Sequence, residues 1–254
     1  MTQAIAFPRA AGPAAVVDAI SNAANRTGVD FSYLLANARA ESGLDPMARA
    51  RTSSASGLFQ FTDATWLATV ARHGEKHGLG WAADALESGA NGAVKQTILS
   101  LRHNADVAAT MAAEFTRDNA AKLEGALGRA AGSADLYLAA FFGAGGAVRF
   151  LKTMAAAPGM AAASLLPAAA AANRSTFFHA DGSARSLAEV HDLVASRIAR
   201  HMPTAAGTAP ALTGHAPAPF GHAPAQSGSS LPLPDPALTA ARARMAYLVL
   251  AAMS

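Results

Sequence analysis

Nowhere along the 254 residues do apolar and polar side chains alternate over a sustained run. Apolar residues recur three and four positions apart instead. That spacing marks one face of an α-helix, whereas a half-buried strand needs a period of two. Composition agrees: 52% of the residues are hydrophobic, but only 6% are aromatic, and alanine dominates. Alanine is the strongest helix former, and its small side chain lets helices approach closely. The chain therefore reads as all-α, with at most a short β-like strip at residues 57–61.

One stretch, residues 29–67, organises the rest. Asp30 is placed to cap a helix in which Phe31, Leu34, Leu35 and Ala38 share a face. Glu41 lies seven residues after Leu34 and three after Ala38, so it falls on that same apolar face. Burial disfavours a charged carboxyl, and the expectation is a raised pKa, as a general acid requires. Gly43 suits the left-handed position that ends a helix, and Pro46 prevents its continuation. The run Ser56 to Thr62 follows, with Gln60 set between Phe59 and Phe61. A buried amide there needs hydrogen-bond partners, since leaving it unmet costs about 1–3 kcal/mol. Thr62 then caps a helix carrying Trp66, Leu67 and Val70.

Around this stretch, residues 14–27 read as a first helix closed by Gly28, and residues 73–92 as a Gly-rich loop with a short helix from Trp81 to Leu86. Ala93 to about Ala121 reads as one long helix. Ser133 opens another through Phe142, and Gly143 to Gly146 turn into a further helix that stops at Pro158-Gly159. Residues 160–172 read as helical on either side of Pro167. Residues 173–182 read as irregular, anchored by Phe177 and Phe178. Ser186 and Glu189 form a capping box on a last amphipathic helix ending near His201. The expected organisation is a globular domain over residues 1–201, a Pro/Ala/Gly/Ser/His-rich linker over 202–235 and a short C-terminal helix over 236–254. The linker holds a Gly-His-Ala-Pro repeat with His215 and His222, and the final helix could dock on the domain or on a protein partner.

Several chemistries lack support. Without cysteine there are no disulfides, thiolate metal sites or Cys nucleophiles. The net charge of +3 is scattered, with no basic block for nucleic acid. The start of the chain lacks a basic segment before its apolar piece, and Pro8, Arg9 and Pro13 interrupt it, so it does not read as a secretory signal. No stretch of about 20 uninterrupted apolar residues offers a membrane span. Residues 154–172 come nearest but are broken by Pro158, Gly159 and Pro167. The Gly143–Gly146 turn lacks a preceding strand and the third glycine of a dinucleotide loop. His73 and His77 stand four apart without the glutamate pattern of a zinc protease, and read as solvated loop histidines. Asp63 suits a first helical turn and Asp45 a turn before Pro46, so neither needs a catalytic role. No metal or cofactor is expected.

Glu41-Ser42-Gly43, Pro46, Ala48 and Ser56-Gly57-Leu58-Phe59-Gln60 together resemble the soluble lytic transglycosylase (SLT) domain, which has a goose-type-lysozyme-like fold. That family carries a Glu-Ser motif followed by a Gly-Leu-Met-Gln motif, with Phe59 in the Met place. A weaker second match lies at residues 136–151, where the family's Ala-Tyr-Asn-x-Gly segment is replaced by Phe141 and Phe142. Phenylalanine cannot hydrogen-bond a carboxyl, so either another donor serves, Tyr137 being one turn earlier, or Glu41 is held by packing alone; Phe141 and Phe142 themselves read as core. The resemblance implies cleavage of peptidoglycan glycan strands between N-acetylmuramic acid and N-acetylglucosamine, with Glu41 as acid and then base and a 1,6-anhydro product. It further implies that Ser42 supports the catalytic carboxyl or the substrate, and that Gly57, Leu58, Phe59 and Gln60 line the sugar groove. The implied place of action is the periplasm or cell wall. Two other readings stay open: a muramidase that admits water, and a weakly catalytic wall-binding or assembly module of an exported machine such as a flagellum or phage tail.

Overall fold

The helix boundaries of the first third of the chain follow from local capping, as a computed structural model describing residues 12–51 and 53–203 shows. Helix α1 (Pro13–Thr27) has proline at its start, where no N–H is missed, and ends at Gly28 in the left-handed conformation. In α2 (Phe31–Ser42) the Asp30 carboxylate accepts the Tyr33 N–H at 2.7 Å, and Gly43 closes the helix at φ 64°. Thr62 caps α3 (Asp63–His73) by accepting the Thr65 N–H. A 3₁₀ turn, Glu75–His77, and α4 (Gly80–Glu87) fill the glycine-rich segment.

The expected long helix from Ala93 to Ala121 is two helices. These are α5 (Gly92–Ser100) and α6 (Ala105–Leu127), separated by a 3₁₀ turn, Leu101–His103. Asn104 breaks the run: it leaves the helical region at ψ 117° and its side chain accepts the Val107 N–H at 3.1 Å. An Asn that can cap a new helix competes with continuation of the old one. Next come α7 (Ser133–Ala156), α8 (Ala162–Leu165), α9 (Pro167–Ala172), α10 (Arg174–Phe177) and α11 (Leu187–His201). The short helix α10 occupies part of the segment expected to be irregular. The capping box of Ser186 and Glu189 on α11 is formed as expected.

The fold is all-α, and among the described residues there is no strand. The strip at 57–61 is a tight turn between isolated bridges that pair Ser56 with Arg49 and with Phe61. Helix α6 runs through the core against α1, α7 and α3, while α11 joins α7 to α2. Trp66 of α3 is fully buried and its indole N–H donates to the Ile98 carbonyl at 2.8 Å, tying α3 to α5.

Helix α7 is bent at Gly143, whose φ of 72° and ψ of 157° are open only to glycine. Phe141 and Phe142 are core residues at 3% and 2% exposure. Phe142 packs against Phe141, Phe150 and Phe177. The helix that comes nearest to a membrane span is α7 rather than residues 154–172: it alone among the described residues is long and apolar enough. Half of its apolar window is buried inside the fold, as in the core helix of a globular domain.

The two histidines expected to be solvated are not. His73 is 6% exposed. His77 Nε2 donates to Glu114 Oε1 at 2.8 Å, and His73 Nε2 to Asp118 Oδ2 at 3.0 Å. Glu114 is itself buried in α6; His77 gives its Oε1 a hydrogen bond, and His73 Nδ1 lies 3.6 Å from its Oε2. No cluster of His, Cys, Asp and Glu able to hold a metal occurs among the described residues. The expected C-terminal helix and all but the first two residues of the expected linker lie outside the described residues.

Candidate active site

Glu41 stands in the last turn of α2 at 3% exposure, on the buried face that its spacing from Leu34 and Ala38 predicts. A cleft opens beside it, with about 590 Å³ of space including its open mouth. Its walls are Asn37 and Glu41 from α2, Phe59 to Thr62 from the loop, Thr65 from α3, Phe115 and its neighbours from α6, and Ala140 from α7. Among the described residues lining this cleft, Glu41 is the only carboxylic acid. Asp45 accepts the Met47 N–H at 2.8 Å, and Asp63 pairs with Arg102 at 2.8 Å; neither lines the cleft.

The loop after α2 is held by a dense set of backbone contacts. The Ser42 hydroxyl lies 2.8 Å from the Leu58 carbonyl and 3.2 Å from that of Ala38, so it fastens the end of the Glu41 helix to the strip. Gly57 has φ 82°, and a side chain there would run into the Arg102 carbonyl. Gln60 adopts φ 48°, unusual for a residue with a side chain. Its Nε2 donates to the carbonyls of Gly57 at 2.9 Å and Ala48 at 3.2 Å. The amide between two phenylalanines thus has partners on its nitrogen side. Its Oε1 is buried with none among the described residues. Phe61 stacks edge-on against Trp66 and Phe115.

Phe59 and Gln60 therefore reach the cleft, whereas Ser42, Gly57 and Leu58 stand behind it; Leu58 is fully buried. Tyr137 does not line the cleft either. It is buried at 3% exposure, and burial pushes its hydroxyl above the usual tyrosine range, with Arg197, Tyr33 and Arg200 nearby.

Three contributors carried no sequence signal strong enough to be singled out. Arg102, on the 3₁₀ turn before α6, points inward at 8% exposure. Its guanidinium donates to the carbonyls of Leu99, Ser54 and Phe61 at 2.9–3.0 Å. In sequence it looks like a surface cation on a long helix. Its neighbour His103 places Nε2 2.7 Å from the Ser56 hydroxyl; burial, with Arg49 and Arg102 close by, lowers the imidazole's pKa. Asn37 lies four residues before Glu41, a spacing that puts both on one face. That spacing was visible in the sequence.

A buried acid at the end of a helix, facing a cleft whose floor is a glycine-pinned loop ending in a glutamine, now has a counterpart among known families. Residues 18–89 match the transglycosylase SLT domain family. The match spans Glu41 and the Gln60 loop, from within α1 to just past α4. SLT domains are associated with lytic-transglycosylase activity on peptidoglycan. In this chain the cleft is completed from beyond the matched segment. Phe115 and Thr116 of α6 and Ala140 of α7 form its far wall, and Arg102 braces its loop.

Proposed function

We propose that the protein is a peptidoglycan lytic transglycosylase cleaving the β-1,4 bond between N-acetylmuramic acid and N-acetylglucosamine. The observation that carries this reading is Glu41: a buried carboxyl in the cleft of an SLT domain, with no second acid among the described lining residues. Glycosidases that use water or a covalent intermediate commonly set two carboxylates about the scissile bond. A single acid suffices if it serves twice.

In this mechanism Glu41 starts protonated, the form that burial favours for a carboxyl. It gives its proton to the glycosidic oxygen as the bond to C1 of the muramoyl sugar breaks. The substrate's own N-acetyl group offsets the positive charge at C1. The Glu41 carboxylate then takes the proton of the C6 hydroxyl, and O6 closes on C1. The product is a 1,6-anhydromuramoyl end, no water is consumed, and Glu41 is again protonated. Phe59 and Gln60 line the groove for the sugars, and Ser42 acts from behind by fixing the loop to the Glu41 helix. The substrate places the activity in the periplasm or cell wall. Residues 202–254, beyond the SLT match, are assigned to delivery or to a protein partner.

Digestion of purified peptidoglycan, with mass spectrometry of the released muropeptides, tests this. The wild-type protein should release products one water lighter than reducing muropeptides. Glu41→Gln should lower the rate by about 100-fold or more. Reducing ends would identify a muramidase. A folded wild-type protein that releases nothing would identify a wall-binding or assembly module.

A further inference from the structure

We infer that Asn37 is a saccharide-binding residue whose carboxamide hydrogen-bonds a hydroxyl or acetamido group of the glycan and fixes that sugar against Glu41. The inference rests on the cleft being a glycan site. It adds a residue that neither the Glu-Ser motif nor the glutamine loop contains.

Asn37 is 8% exposed and lines the cleft. Its Oδ1 is enclosed and has no hydrogen-bond partner among the described residues. The neighbouring polar side chains each make at least one hydrogen bond. Ser42 is bonded to backbone carbonyls, Gln60 uses its nitrogen on two more, and Arg102 on three. Asn37 is therefore a buried amide whose oxygen has no partner among the described residues, at the wall of the cleft and one turn from the catalytic acid. Packing gives no reason for it, since Asn is a poor helix former and Ala or Leu would serve a merely buried position better. An N-acetylated glycan supplies what is missing, because its hydroxyl and acetamido groups donate and accept. The carboxamide can present either end to them. Gln60 lines the same cleft from the loop, so the sugar would meet α2 and the loop together.

The test uses the full chain and chitotetraose, an N-acetylglucosamine tetramer, as the probe. Binding is measured calorimetrically in the Glu41→Gln background to avoid turnover, and kcat/KM on purified peptidoglycan is measured with Glu41 intact. Asn37→Leu should weaken chitotetraose binding and lower kcat/KM about tenfold each, equivalent to about 1.4 kcal/mol. Asn37→Ser, which restores a hydrogen-bonding group, should recover part of both. Thermal midpoints should not fall for Asn37→Leu, because an unmet amide is removed. If leucine does not fit, Asn37→Ala gives the same comparison without added volume. Unchanged affinity and kcat/KM in a folded Asn37 variant, with cleavage by the wild type intact, would overturn the inference and leave the transglycosylase reading standing. Asn37-dependent binding by a protein that releases no muropeptides would do the reverse. Failure of the wild type both to bind and to cleave would overturn the two together.

Discussion

At the scale of single residues, the positions that resemble the SLT motif separate into groups that face the cleft and groups that make the facing possible. Glu41, Phe59 and Gln60 are of the first kind; Ser42, Gly57 and Leu58 are of the second. Gly57 shows the distinction best, because two independent constraints meet there. Its φ of 82° disfavours any side chain, and the space a Cβ would take belongs to the Arg102 backbone. Gly57→Ala should therefore destabilise the fold by about 1–3 kcal/mol and displace the loop that carries Gln60. Urea denaturation, read beside muropeptide release, checks this. An unchanged midpoint would mean that the Arg102 turn yields easily.

Among the elements, α7 ties the cleft to the core. Its first half brings Ala140 to the cleft and Phe141 and Phe142 to the core, and the bend at Gly143 redirects the second half so that Phe150 returns to Phe142. Straightening the helix would separate these tasks. Gly143→Ala places a side chain at φ 72°, ψ 157° and should cost about 1–3 kcal/mol, seen as a lower thermal midpoint. Activity should fall with it, because Ala140 forms part of the cleft wall. A variant as stable as the wild type would show that the bend is dispensable. The break between α5 and α6 is a similar device, since only a turn there lets Arg102 face inward.

For the molecule as a whole, α3 and the turn after it are joined to α6 by two carboxylates and their histidine and arginine partners. Burial acts to raise the Glu114 and Asp118 pKa values, but the partners prevail. His77, Arg117 and His73 bring Glu114 below the usual range, and His73 and Arg72 do the same for Asp118. The Asp135 carboxylate in the first turn of α7 is likewise lowered against its burial, by Arg129 and the Gly132 N–H. A carboxylate with a lowered native pKa stabilises the fold above its unfolded value, and that stability disappears as pH falls through the native value. Stability should therefore be lost progressively below about pH 4.5, the upper end of ordinary carboxyl values. Denaturation midpoints between pH 7 and 3 should show the decline, and Glu114→Gln should flatten it. A variant with the wild-type slope would place the acid sensitivity elsewhere.

Much of this was legible in the sequence, and where it was not the reason is physical. Helix class, the caps at Asp30, Thr62 and Ser186, the stop at Gly43 and the burial of Glu41 are set by neighbours within a few residues, so spacing and side-chain chemistry declare them. The break at Asn104 is also local, but there capping competes with a continuing apolar pattern, and the pattern alone does not say which prevails. The inward turn of Arg102, the pairing of His73 and His77 with α6 carboxylates and the contribution of Ala140 to the cleft join residues about 40 to 100 positions apart. No local rule reports such contacts. Local spacing declares that the chain is helical and which carboxyl is buried beside a glycine-pinned loop. Which side chains share the cleft with that carboxyl is settled by packing between distant segments, because it depends on where α6 and α7 lie beside α2.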